Sequence, residues 1–121
     1  MQDFRSISVW EKSHTFTLKV YKLSQSFPKE ETYGLTSQLR RASTSIPTNI
    51  AEGCVKNTNP EYSRFLYISL GSASEVEYLL LLCYDLQMID ENQHKTLSEE
   101  IQEIKKMLTA LIKKVKLTTE N

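Results

Sequence analysis

Mostly apolar residues recur at intervals of three or four in each of four stretches of this chain. That spacing places them along one side of an α-helix, as a seam that packs against other helices. The seam is unbroken in the last stretch, where it comprises Leu97, Ile101, Ile104, Leu108, Leu111 and Val115. The pattern therefore predicts helices that pack on one another.

The other three stretches carry comparable seams. The predicted inward residues are Val9, Ser13, Phe16, Val20, Leu23 and Phe27 in the first, Leu35, Leu39, Ala42, Ile46 and Ile50 in the second, and Phe65, Ser69, Ser72, Val76, Leu80 and Cys83 in the third. With only three glycines and three prolines, the chain has few turn residues for a many-stranded fold. Long helices with few connections suit it better.

Residues at the ends of these stretches predict helices at 8–26, 34–55, 60–88 and 91–116. Pro28 ends the first helix, because the residue before a proline is disfavoured in the helical region. Asn59 before Pro60 predicts an N-cap, and Asp90 with Gln93 predicts a capping box. Short connections favour antiparallel neighbours, so we predict an all-α fold, one antiparallel up-down-up-down four-helix bundle over residues 1–121.

The charge balance argues against a protein held to nucleic acid by bulk charge, because fifteen basic and fifteen acidic residues cancel. The lysines are concentrated near the end of the fourth helix, at Lys105, Lys106, Lys113, Lys114 and Lys116. We interpret them as a solvated face that favours the helix dipole.

Cys54 and Cys83 lie in helical patterns and suggest no disulfide framework. The N-terminus lacks the build of a signal peptide, and we expect no apolar run of membrane-spanning length. A reduced cytoplasmic protein without a membrane partner is therefore predicted.

The third helix is apolar nearly all round, which predicts burial nearly all round. Its second set of residues comprises Tyr67, Leu70, Ser74, Tyr78, Leu81 and Leu82. One helix of a four-helix bundle normally leaves a face to water. Self-association through these residues is the simplest way to cover that face.

Enzyme chemistry has little support in the sequence. The Glu11/His14 and Glu91/His94 pairs resemble half-sites of di-iron bundles. They begin the first and fourth helices, which start at opposite ends of an up-down bundle and cannot share a metal within one subunit. Phosphate-loop, nucleophile-elbow and zinc-ligand patterns are missing as well. We therefore expect no catalytic residue, cofactor, metal or small-molecule substrate.

When the residues of the second helix are placed at 100° per residue around its axis, a polar stripe falls beside the apolar face. It comprises Gln38, Arg41, Ser45, Asn49 and Glu52, while Arg40 faces away from the core. The stripe is either a recognition strip, with Arg41 and Asn49 as donors, or a set of contacts with neighbouring helices or subunits. A separate strip of Ser37, Thr44, Thr48 and Ala51 permits close approach of another helix.

Pro47 lies inside the second helix, where it removes a backbone donor and frees the carbonyl of Ser43. A bend is expected there. The hydroxyl groups of Ser43, Thr44 and Ser45 are expected to help satisfy the disrupted turn.

The run YGLTSQLRRASTSIPTNIAEG, together with the flanking VWEKSHTFTLKVYKL and YSRFLYISLGSASEVEYLLLL, resembles the four-helix-bundle family named for reading frames in intervening sequences of bacterial 23S ribosomal RNA genes. The resemblance covers about residues 7–89. The matched motif positions are Gln38, Arg40, Arg41, Pro47, Asn49 and Glu52.

This resemblance implies an up-down bundle that assembles into a homo-oligomeric ring, pentameric in related proteins, with no catalytic residues to carry over. The chain is more distantly similar to the accessory variability protein of diversity-generating retroelements, which associates with nucleic acid. We therefore expect a non-enzymatic oligomeric scaffold that binds RNA or an RNA-associated protein. The alternative is a purely protein-binding or structural oligomer, and a di-metal bundle enzyme is a distant third.

Overall fold

The computed structural model describes residues 2–119. Its helices are α1 (Ser8–Ser24), α2 (Leu35–Gly53), α3 (Asn59–Asp85) and α4 (Glu91–Thr119). Short 3-10 turns at Phe4–Ser6 and Lys29–Glu31 precede α1 and α2. The described residues contain no strand. The predicted all-α fold is confirmed.

Contacts between side chains show that helices adjacent in sequence run antiparallel. Near the start of α2, Arg40 contacts Ser24 at the end of α1. The contacts of α3 are Glu75 with Arg41 and Ser72 with Ser45 on α2, and Glu77 with Lys105 and Tyr67 with Lys116 on α4. Along the α2–α3 and α3–α4 contacts, the residue numbers of one helix rise as those of the other fall, so these helices are antiparallel. α3 packs on α2 and α4, which places α1 diagonally opposite.

Most of the core comes from the predicted seams. The prediction is wrong at Leu23 in α1 and at Phe65 and Ser72 in α3, which are only half-buried, while Leu66 and Ala73 of α3 are buried. All five predicted residues of α2 are buried, and Phe16 and Val20 of α1 are fully enclosed. In α4 the prediction is wrong at Leu111, which is only half-buried, while Ile112 is buried. Seven residues of a straight α-helix fall about 20° short of two full turns, so a strict seven-residue repeat gradually rotates away from the core. By the end of α4 the inward position has passed from Leu111 to Ile112.

The helix ends follow local hydrogen bonding. The capping box of α4 is confirmed, because Gln93 N donates to Asp90 Oδ1 (2.7 Å) and Asp90 N to Gln93 Oε1 (2.9 Å). The predicted cap of α3 is wrong by one residue. Thr58 is extended and its hydroxyl accepts from Glu61 N, whereas Asn59 is helical and bonds Thr118.

Pro47 is accommodated by a contact from α1. The hydroxyl of Thr17 lies 3.1 Å from the carbonyl oxygen of Ser43, the group that Pro47 deprives of its helical donor. The same hydroxyl lies 2.8 Å from Ser13 O, so its one proton is shared between two acceptors. The expected help from the local hydroxyls is not found, because Thr44 donates to Arg40 O, Ser45 pairs with Ser72, and the Ser43 hydroxyl has no partner among the described residues.

Replacing Thr17 by valine removes this hydroxyl and keeps the shape of the side chain. We expect the free energy of unfolding to fall by about 1–3 kcal/mol, the usual cost of leaving a buried polar group unpaired. Denaturation followed by circular dichroism measures the change. Thr15→Val is the matched control, because Thr15 is exposed on the same helix.

Pro47→Ala tests the cause, because alanine restores the backbone N–H four residues after Ser43. In the Pro47→Ala background, Thr17→Val should lower the free energy of unfolding clearly less than it does in the wild type. Equal costs in the two backgrounds would contradict the link between Pro47 and Thr17.

Candidate functional site

The polar stripe of α2 forms part of the α2–α3 interface. Arg41 Nη2 lies 2.8 Å from Glu75 Oε2, and the hydroxyl groups of Ser45 and Ser72 are also 2.8 Å apart. The side-chain amide of Asn49 donates to Ser45 O at 2.8 Å and lies 2.9 Å from its hydroxyl. The Arg41–Glu75 and Ser45–Ser72 contacts join α2 to α3, whereas the Asn49 contacts lie within α2.

Arg40 lies on the other side of α2, against α1. Its Nε donates to the buried Ser24 hydroxyl at 2.7 Å and its Nη2 to Tyr21 O at 3.2 Å. The guanidinium carbon is 4.7 Å from the centre of the Tyr21 ring, a cation–π contact. Both arginines of the motif are therefore engaged within the subunit. A partner at Arg40 or Arg41 stays a prediction.

Gln38 and Glu52 are the exposed ends of the stripe. Among residues 2–118 Glu52 has no ion-pair partner. It lines a groove of about 620 Å³ between α1 and α2, which we call the α1/α2 groove. The other lining residues are Trp10, His14, Thr17, Leu18 and Tyr21 from α1, and Thr44, Pro47, Thr48 and Ala51 from α2.

Three residues of the small-residue strip predicted on α2, Thr44, Thr48 and Ala51, line this groove, and Ser37 does not. Thr44 and Thr48 are exposed, and their hydroxyls donate to the backbone one turn earlier. Leu18 forms part of the wall and is 58% exposed. The strip is thus open to solvent, and a helix of another molecule has access to it.

α3 presents a second exposed apolar surface, which we call the α3 ridge. It comprises Tyr67, Gly71, Ser74, Tyr78 and Leu81, again spaced by four and three residues. Tyr67 is 49% exposed and Tyr78 58%. Of the predicted interface residues, Leu70 and Leu82 are only half-buried beside the ridge. Gly71 and the exposed Ile68 were not among the predicted interface residues, although the four-three spacing includes Gly71.

Two glycines on helices differ in their surroundings. A Cβ on Gly53 would lie 2.8 Å from Phe65 Cβ, so close packing of α2 on α3 requires that glycine. A Cβ on Gly71 would meet nothing within 4 Å. Glycine inside a helix costs about 1 kcal/mol relative to alanine. Packing within the subunit therefore does not explain Gly71.

The charges at the two ends of the α3 ridge differ in sign. At one end Lys116 Nζ lies 3.2 Å from the Tyr67 hydroxyl and 5.4 Å from the centre of its ring. At the other end Asp85 follows Leu81 by about one turn and is exposed. The α1/α2 groove is polarised too, with Glu52 near Trp10 at one end and Arg40 on Tyr21 at the other.

The two Glu-x-x-His pairs are separate, and each histidine stacks on an aromatic ring. His14 lies 5.0 Å from Trp10 and His94 lies 4.8 Å from Tyr84, centre to centre. His14 is exposed and His94 half-buried. The described residues contain no group of three or more His, Cys, Asp or Glu side chains arranged to hold a metal.

Burial changes the ionisation of the two thiols. It raises the pKa of Cys83 to about 11 and also raises the pKa of Cys54. Both cysteines are free and buried, so at neutral pH they are protonated and weakly nucleophilic.

In the described part of the chain, α3 is the one helix long and apolar enough to cross a membrane by length and composition, because an 18-residue window of it has a mean hydropathy of 1.3. The expectation that no apolar run reaches that length is therefore wrong. In this structure Glu75 and Glu77 of α3 pair with Arg41 on α2 and Lys105 on α4. α3 thus acts here as a core helix of the bundle.

The geometry defines an antiparallel four-helix bundle with an exposed apolar groove and an exposed apolar ridge. Residues 5–110 match the family of 23S rRNA-intervening sequence proteins, and the chain belongs to that family. It also matches a crystal structure of a protein of unknown function from the S23 ribosomal protein family of Bacteroides thetaiotaomicron VPI-5482. That match has 27% identity and a TM-score of 0.81, and covers 88% of this chain and 96% of the other.

No curated protein matches the chain significantly. The more distant similarity to the retroelement accessory protein is not shown by these matches and stays a prediction.

The Arg41–Glu75 pair is expected to contribute little to stability, because the two side chains are 63% and 39% exposed. We expect a double-mutant cycle of Arg41→Ala and Glu75→Ala to give a coupling of about 0.2–1 kcal/mol. Arg40→Ala should destabilise more, because it removes the hydrogen bond to the buried Ser24 hydroxyl. Denaturant titration at one fixed protein concentration measures all three, and a larger loss for Arg41→Ala than for Arg40→Ala would contradict this expectation.

Proposed function

We propose that this protein is a non-enzymatic helical scaffold that works as a homo-oligomeric ring. The resemblance to the family implies that the ring is a pentamer. The α3 ridge carries the proposal. Of the ten large apolar side chains exposed in the described residues, three lie on the ridge, namely Tyr67, Tyr78 and Leu81, and Ile68 is a fourth on α3. Soluble monomers rarely expose contiguous apolar patches of this kind, so a second copy of the chain is the natural cover.

The polar residues of the family motif support a scaffold rather than an enzyme. Arg40, Arg41, Ser45 and Asn49 are used in contacts between or within helices, not gathered around a cavity. The free thiols of Cys54 and Cys83 suit a reducing compartment, and we place the protein in the cytoplasm.

In the second part of the proposal, RNA is the molecule that the scaffold binds. Lys106, Lys113, Lys114 and Lys116 are exposed along the last turns of α4. A ring repeats that basic segment once per subunit, so a neutral chain can still present a basic band to phosphates. An RNA-associated protein could take the place of RNA in this proposal. The alternative is a purely protein-binding or structural homo-oligomer without a nucleic-acid role.

Light scattering on purified protein tests self-association. We expect an oligomer for the wild type, and for Tyr78→Lys a shift toward a folded monomer, because a charge on the α3 ridge cannot be buried without a partner. Tyr33→Lys is the matched control, since Tyr33 is 97% exposed and lies in the connection between α1 and α2, not on α3. A wild-type monomer at working concentration would overturn the proposal.

Fluorescence anisotropy with a structured RNA tests this binding. We expect binding that weakens steeply as salt rises, and a shallower salt dependence for Lys113→Gln combined with Lys114→Gln. Glu99→Gln is the control, because Glu99 is exposed on the same helix and carries the opposite charge. The absence of binding at low salt would rule out RNA and favour the protein-binding alternative.

A further inference from the structure

We propose that the α3 ridge of one subunit docks into the α1/α2 groove of a second copy of this chain, head to tail. The inference rests on the proposed oligomeric function and names the two surfaces that meet. The shapes of the surfaces, their charges and their positions on the bundle support the pairing independently.

The shapes are complementary. Two tyrosines protrude from the ridge, Tyr67 and Tyr78, and between them Gly71 leaves the helix backbone bare. The groove is lined on the α2 side by small residues, including Thr48 and Ala51, and on the α1 side by larger ones such as Trp10 and Tyr21. Glycine permits close approach of another backbone, which gives Gly71 the role that contacts inside the subunit do not supply.

The charges are complementary in one orientation. Lys116 flanks the Tyr67 end of the ridge, and Glu52 at the rim of the groove has no ion-pair partner among residues 2–118. Asp85 lies beyond the other end of the ridge, and Arg40 lies at the other end of the groove. Opposite charges meet when the Tyr67 end sits at the Glu52 end, with α3 antiparallel to α2 of the second copy.

The two surfaces lie on different sides of the bundle. The ridge borders α4, because Tyr67 and Leu70 line a pocket together with Ile112 and Lys116. The groove lies between α1 and α2, and α1 is diagonal to α3. Contact between two different surfaces is heterologous, so each added subunit exposes the next docking site until the assembly closes as a ring. A ridge-to-ridge dimer would leave every groove open.

Cysteine crosslinking of the full-length protein distinguishes these arrangements. Thr48→Cys marks the groove and Ser74→Cys marks the ridge, and both positions are exposed. With a short bis-maleimide we expect a covalent dimer when the two variants are mixed and reassembled, and none with either variant alone. A chain that carries both substitutions should give a ladder of products up to the full ring. The wild type is the control, because Cys54 and Cys83 are buried.

Two results would overturn the inference and leave the proposed function standing. Crosslinking of Ser74→Cys alone would show ridge-to-ridge pairing. An intact oligomer by light scattering without any product from the mixture would place the interface elsewhere. A monomeric wild type would remove both proposals at once.

A bulky substitution at Gly71 gives a second test that does not depend on crosslinking. Gly71→Trp adds a side chain where the subunit itself leaves open space, so the helical circular dichroism should be unchanged. The protein concentration needed for half-maximal assembly should rise at least tenfold. Thr15→Trp is the matched control on α1, outside the groove. Equal assembly of the two variants would contradict the proposed close approach at Gly71.

Discussion

The attachment of α2 to both of its neighbours is the interaction on which the rest of the structure depends. Its apolar face contributes five core residues, but those alone leave the helix free to slide. Hydroxyl groups remove that freedom. Ser69 on α3 donates to Ile46 O at 2.9 Å, and Thr17 on α1 lies 3.1 Å from Ser43 O. Carbonyl groups have fixed positions along the backbone, so these bonds select one register on each side.

Pro47 makes this arrangement asymmetric. Proline frees the carbonyl that Thr17 reaches, so a defect of α2 becomes a contact between α1 and α2. Pro47 and the small residues around it do not fill the space between α1 and α2 on the outer side of the bundle. That space is the α1/α2 groove. The packing of the core and the existence of an exposed surface therefore have a common origin in the composition of α2.

The sequence predicts the seams well because periodicity reports the direction of each side chain directly. It predicts less well wherever the answer depends on a residue far along the chain. Thr17 and Ser43 are separated by 26 positions, so no local pattern identifies the hydroxyl that serves the freed carbonyl. Arg40 and Arg41 are adjacent, yet they contact different helices because 100° separates them. Only the packed bundle shows which neighbour each one meets.

Gly53 and Gly71 show the same limit for function. In the sequence each is a glycine on a helix, and neither position has a positive φ that would require one. The structure separates them, because Phe65 fills the space beside Gly53 and nothing fills the space beside Gly71. Glycine at an exposed helical position permits the close approach of another backbone, which gives a use for its cost. Open space at Gly71, with an exposed tyrosine on either side, is why the proposed assembly is placed at the middle of α3.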